Sequence, residues 1–136
     1  MDENELSNQI IGAAIEVHKQ LGPGLLESAY EGALACELSM QGIPFERQKP
    51  VQVRYKGHDL DVGFRVDLLI DNLVVVELKA VEEINDIFTA RVITYLKLSG
   101  CKLGLLMNFN VLRMRDGIHR IAYHLPENLR YEPKRK

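Results

Sequence analysis

Phe64-Arg65-Val66-Asp67-Leu68-Leu69-Ile70, followed at once by Val74-Val75-Val76-Glu77-Leu78-Lys79-Ala80, is the stretch on which the reading of this chain turns. Its apolar runs are short and rich in β-branched residues, and the unbroken run Leu73 to Val76 predicts a strand covered on both faces. Strands are expected from about Leu60 to Ile70 and from Leu73 to Lys79, joined at Asp71-Asn72. Ionisable residues interrupt both runs, and a buried charge is costly unless it is paired or bound to metal. Residues two apart on a strand share a face, so Glu77 and Lys79 point one way and Leu78 the other. Asp67 can face Glu77 only if paired positions sum to an even number. That requires a three-residue loop of Asp71, Asn72 and Leu73, or a bulge.

Outward from this pair, the spacing of Leu6, Ile10, Ile11, Ala14, Val17 and Leu21 predicts a helix that Gly22-Pro23-Gly24 stops. A second helix runs from about Leu25 to Met40, with Leu26, Ala29, Ala33, Leu34 and Leu38 inward and Gly42 as its stop. Beyond Pro44, the alternation of Val51, Val53 and Tyr55 with Gln52, Arg54 and Lys56 predicts a strand. Helical spacing returns from Ile84 to Ser99 and ends at Gly100. Leu103 to Phe109 reads as a buried strand, and Val111 to Met114 with Ile118 to Tyr123 as a hairpin about Asp116-Gly117. The order is that of one α/β domain, residues 1–136, with a mixed central sheet flanked by helices and a short basic tail at about 132–136.

The composition, 46% hydrophobic and 26% charged, is that of a globular chain with a true core. No apolar run is long enough for a membrane span, and the acidic start lacks a signal peptide, which predicts a cytoplasmic protein. Cys36 and Cys101 lack metal or disulfide spacing and read as buried small hydrophobes. His18, His58, His119 and His124 show no ligand spacing and read as surface or packing residues. A net charge of −2 and a pI of about 6.1 exclude coating of nucleic acid by bulk charge, so any such contact must be local.

With the even register, Asp67 and Glu77 stand roughly 5 Å apart at Cβ, close enough to share a magnesium ion at about 2.1 Å per oxygen. Lys79 stands just beyond. Hard oxygen ligands suit a hard cation that polarises a phosphoryl oxygen and acidifies water, and an ammonium stabilises the developing charge. A plain salt bridge between Asp67 and Lys79 at a sheet edge, with Glu77 a solvated strand end, accounts for the same residues without chemistry.

Asp67 followed by Glu77-Leu78-Lys79 resembles the PD-(D/E)XK nuclease signature, with Val66-Asp67 in place of proline-aspartate. Gly24-Leu25-Leu26-Glu27-Ser28-Ala29-Tyr30 is similar to the pattern of the GxxExxY branch of that superfamily. The likeness continues through Phe45-Glu46-Arg47-Gln48, Tyr55-Lys56-Gly57 and Leu103 to Phe109. It implies a restriction-endonuclease-like αβββαβ core, a magnesium or manganese ion, and an acidic residue from an early helix that completes the site. Glu27 is the matching position. Glu31, one turn on, shares its face and is the alternative, and both also fit ordinary surface glutamates.

The chain departs from the pattern in the helix after the active strands, where relatives carry a glutamine four residues before a tyrosine. Tyr95 matches, but Arg91 stands in the glutamine's place. Arginine can bind phosphate bidentately, or here pair with Glu77, Glu83 or Asp86.

The leading expectation is a magnesium- or manganese-dependent nuclease, with DNA favoured over RNA as its substrate. Glu27, Asp67, Glu77 and the Leu78 carbonyl would hold the metal, Lys79 would be the catalytic ammonium, and Arg91 and Tyr95 would bind substrate. The alternative is a catalytically weak or inactive module that keeps the fold and binds nucleic acid or protein. A purely structural domain leaves Glu77 and Lys79 unexplained. The resemblance also raises a homodimer, which no residue demonstrates.

Overall fold

The computed structural model describes residues 1–125, so the basic tail lies outside the described residues. Its elements are α1 (Glu3–Leu21), α2 (Glu27–Met40), β1 (Phe45–Tyr55), β2 (His58–Ile70), β3 (Val74–Lys79), α3 (Asp86–Ser99), β4 (Leu103–Asn108) and β5 (Ile118–Ala122). The five strands form one sheet in chain order, antiparallel except for the parallel pair of β3 and β4 that α3 connects. This is the expected αβββαβ core, a mixed sheet flanked by helices, with β5 as an antiparallel edge.

The apolar run of β3 is covered on both faces, as its composition requires. Val74, Val76 and Leu78 pack with Leu6 and Ile10 of α1 and Leu34 and Leu38 of α2, whereas Val75 packs with Val92 and Leu96 of α3. Each such side chain stabilises the fold by roughly 1.5–3 kcal/mol when fully buried. Local signals fix the helix ends. The Asp2 side chain accepts from the Glu5 N–H, that of Asn85 accepts from the N–H groups of Ile87 and Phe88, and Gly100 closes α3 at φ 75°.

Strand β1 begins at Phe45, directly beyond Pro44 as expected, and β2 offers it partners back to Ile70. One expectation is corrected: Val111 to Met114 is not a strand, and β5 pairs directly with β4. After Asn108 the chain is drawn off the sheet, because Phe109 stacks on Tyr30 at 4.5 Å and the His18 ring nitrogen lies 2.8 Å from the Val111 carbonyl. A 3-10 turn, Met114–Gly117, then returns it. Gly117 is required there, since a Cβ would lie 1.9 Å from the Asn108 carbonyl oxygen.

Helix α3 sits so close to β4 that a Cβ on Gly104 would lie 2.6 Å from Cγ1 of Val92. Gly12, mid-helix in α1, meets nothing within 4 Å. Thermal melts of the two alanine variants should therefore move in opposite directions. Gly104→Ala is expected to lose about 1–3 kcal/mol by overpacking, and Gly12→Ala to gain about 0.5–1 kcal/mol from helix propensity. Equal shifts would contradict the close approach of α3.

Candidate functional site

The site is an opening between β2 and β3. The loop between them has three residues, Asp71, Asn72 and Leu73. Asp71 and Asn72 take the left-handed conformation, at φ 51° and 55°, which these residue types tolerate well. The resulting pairs, Leu68 with Val76, Leu69 with Val75 and Ile70 with Val74, set Asp67 opposite Glu77, as the even register requires. There the ladder stops, and side chains replace it. The Asp67 N–H donates to Oε1 of Glu77 at 3.1 Å, and the Leu78 N–H donates to Oδ2 of Asp67 at 2.8 Å.

Strand β2 turns over at this point. Val66 belongs to the core under α3 and Leu68 to the core under α1 and α2, although residues two apart on a regular strand share a face. The carboxylates thus occupy the place where the sheet divides, and the backbone groups freed by the division are satisfied by them.

Burial governs the electrostatics. Glu77 is 7% exposed, and its carboxyl is pushed up to about 8, first by desolvation and then by the neighbouring Asp67 charge. The Asp67 N–H and the Lys79 ammonium act the other way without reversing it. Lys79 is half-buried, with Nζ 4.8 Å from the Phe88 ring centroid. The ion pairs among the described residues are Arg47–Glu31 and Lys49–Glu46. The plain Asp67–Lys79 salt bridge is therefore not formed, and Lys79 stands beside the carboxylates with no ion pair among the described residues.

Of the two helix glutamates, Glu27 is exposed in the first turn of α2, and no contact joins it to Asp67 among the described residues. Glu31 is 9% exposed and tied to the site. Its carboxylate accepts from Nε of Arg47 at 3.0 Å and from Nε2 of Gln48 at 2.6 Å, and the same Gln48 nitrogen donates to Oδ1 of Asp67 at 3.2 Å. Tyr30 is structural. Its fully buried side chain donates to the Gly22 carbonyl at 2.6 Å and accepts from the Leu25 N–H, which fixes the turn into α2 where Gly24 has φ 98°.

Arg91 is exposed and pairs with none of Glu77, Glu83 or Asp86 among the described residues. Tyr95 stacks on Phe64 at 4.2 Å. Its hydroxyl is raised by desolvation first and then by Glu77, with Arg91 opposing, so both residues lie within the field of the carboxylates. Sequence reasoning missed Gln48 and also Asn108. Asn108 pairs with Lys79 in the parallel ladder, and its side chain brackets the Val81 N–H and carbonyl at 3.1 and 2.9 Å, which braces the chain just beyond the lysine. Cys101 is buried as expected, but Cys36 is exposed on α2.

Among the described residues, no three histidine, cysteine or acidic side chains come together closely enough to hold a metal as they stand. Asp67 and Glu77 are instead turned onto backbone N–H groups. Their chemistry still fits a hard cation, because Glu77 is poorly solvated and the neighbouring Asp67 charge further disfavours its ionised form.

The family profile described as the PD-(D/E)XK nuclease superfamily matches residues 4–121. The chain belongs to that superfamily. No curated protein matches the sequence. A solved structure titled "Crystal structure of SSO0001" is similar at 15% identity and a TM-score of 0.49, over 90% of this chain and 68% of that one. Among the described residues, no helix is long and apolar enough to cross a membrane.

In this superfamily member, the raised Glu77 carboxyl has a consequence for stability. Its folded value, about 8, lies above the ordinary 4.5, so between these values the folded state keeps a proton that the unfolded state has released. The associated stability is complete below about pH 4.5 and is lost as pH rises towards 8. In chelator, the wild type is expected to lose on the order of a few kcal/mol across that window relative to Glu77→Gln. Parallel stability curves for the two proteins would show that Glu77 titrates normally.

Proposed function

We propose that the chain is a metal-dependent nuclease that hydrolyses phosphodiester bonds, with DNA as the preferred substrate over RNA. The observation that carries this is the reciprocal placement of Asp67 and Glu77 in the divided sheet, with the Lys79 ammonium in the field of Glu77 beside them. Within the superfamily, the arrangement of Gly24, Glu27 and Tyr30 supports placement in the GxxExxY branch.

Asp67, Glu77 and the Leu78 carbonyl would hold magnesium or manganese. The Leu78 N–H faces Asp67, and in an extended strand the carbonyl of the same residue faces the same edge. Glu31 supports the helix position better than Glu27, because it already reaches Asp67 through Gln48. The bound cation supplies Lewis acidity to the phosphoryl oxygen and lowers the pKa of an attacking water.

The protein's own part is positional and electrostatic. Lys79 follows Glu77 on the same side of β3 and presents its ammonium to the charge that develops on the phosphoryl oxygens as water adds to phosphorus and the ester P–O bond breaks. Arg91 is exposed and free to bind a non-bridging phosphate oxygen, and Tyr95, held flat by Phe64, limits where the strand can lie. A second reading, a catalytically weak or inactive nucleic-acid- or protein-binding module, is favoured by Arg91 in the place of the expected glutamine and by the net charge of −2.

Cleavage of single- and double-stranded DNA and RNA with magnesium or manganese separates the readings. Lys79→Ala is expected to lower turnover at least about 10²-fold while metal binding is nearly intact, because the ammonium is not a ligand. Asp67→Ala and Glu77→Ala should lose both. Glu31→Ala should weaken metal binding more than Glu27→Ala does. Wild type inactive on every substrate would favour the binding module, and activity equal in Glu77→Ala would mark a contaminant.

A further inference from the structure

Gln48 has φ 50° within β1, a left-handed conformation that non-glycine residues adopt only at an energetic cost. Packing does not explain it, since the side chain is exposed. The strand also turns over here. Arg47, opposite Leu68, reaches Glu31 on the α2 side, while Lys49 is opposite Val66 of the core under α3. The turn in β1 therefore faces the turn of β2 at Asp67.

The conformation directs the Gln48 amide at two carboxylates. Nε2 donates at 2.6 Å to Oε1 of Glu31 and at 3.2 Å to Oδ1 of Asp67. Only the nitrogen end can face this pair, because an amide oxygen there would meet two acceptors and no donor. Glu31 is held on its other oxygen by Arg47, so Arg47 and Gln48 together grip both oxygens of one carboxylate.

We infer that Gln48 is a positioning residue: its strained backbone lets one amide bridge Glu31 and Asp67, and so holds the helix carboxylate within one amide's reach of the strand carboxylate, from where a shared divalent cation would draw the two together. This rests on the metal-site reading above. Hydrogen bonds to ligating carboxylates orient them, and removal of such partners typically weakens metal binding about 10–100-fold. The role differs from a ligand's, since the amide nitrogen has no lone pair to offer and acts only through the two carboxylates.

Manganese titration by calorimetry, together with melting in chelator, tests it. Gln48→Gly relieves the backbone strain and removes the amide, and Gln48→Asn tolerates the left-handed conformation but is one methylene too short to span both carboxylates. Both variants are expected to melt no lower than the wild type in chelator and to bind manganese about 10–100-fold more weakly. In a Glu31→Ala background, most of that further loss should vanish, because Gln48 then has one fewer ligand to place. Wild-type affinity in Gln48→Gly would overturn the inference and leave the metal site standing. Failure of the wild type itself to bind manganese would overturn both.

Discussion

The structure depends on one exchange across a divided sheet, in which the backbone of β2 is satisfied by a side chain of β3 and the backbone of β3 by a side chain of β2. The Asp67 N–H donates to Glu77, and the Leu78 N–H to Asp67. Buried backbone donors must find partners, and these two would otherwise be stranded where β2 turns away to continue with β1 alone. The same two carboxylates are then fixed beside each other with little solvent, which is the reason Glu77 resists ionisation. Structure and chemistry share the same atoms here, so the opening cannot be repaired with apolar residues without loss of the ladder's closure.

Stability and function pull against each other at this point. Leu68 and Val76 would extend the core if apolar residues lay beside them, yet a carboxylate pair stands there instead, and the Asp67 N–H and Lys79 offset its repulsion only in part, which leaves the rest to a proton or a bound cation. The surrounding bracing is strong. Tyr30 and Phe109 hold the entry to α2 against the sheet, Asn108 holds the segment after Lys79, and Arg47 with Gln48 holds Glu31. Each brace lies one residue or one contact away from a proposed functional group, as expected where a constellation must be held rigid.

Much of this was legible in the sequence because it follows from periodicity. The stripe of Leu6, Ile10, Ala14 and Val17 specifies α1, the apolar run of β3 specifies a strand with helices on both faces, and strand parity states the condition for Asp67 to meet Glu77, a three-residue loop or a bulge, of which the structure has the loop. What escaped has a common cause in geometry that residue types do not encode. Glu27 and Glu31 share a helical face, and only the tilt of α2 over the sheet decides which one reaches Asp67. A glutamine carries no signal for a left-handed φ, so neither the turn in β1 nor its bridge could be read. The hairpin expected at Asp116-Gly117 failed because Phe109 and Val111 found tertiary partners on the helices, which outweighed a local turn preference.

The central claim, that this exchange of hydrogen bonds is the resting form of a cation site, is tested most directly by the amide resonances of the two donors. Magnesium added to isotope-labelled protein should draw the carboxylates away from the backbone, so the amides of Asp67 and Leu78 should shift more than those of Leu69, Ile70, Val74 and Val75. Their hydrogen exchange should change with the same midpoint. Saturating magnesium that leaves the Asp67 and Leu78 amides unmoved, while other amides respond or none does, would contradict the account.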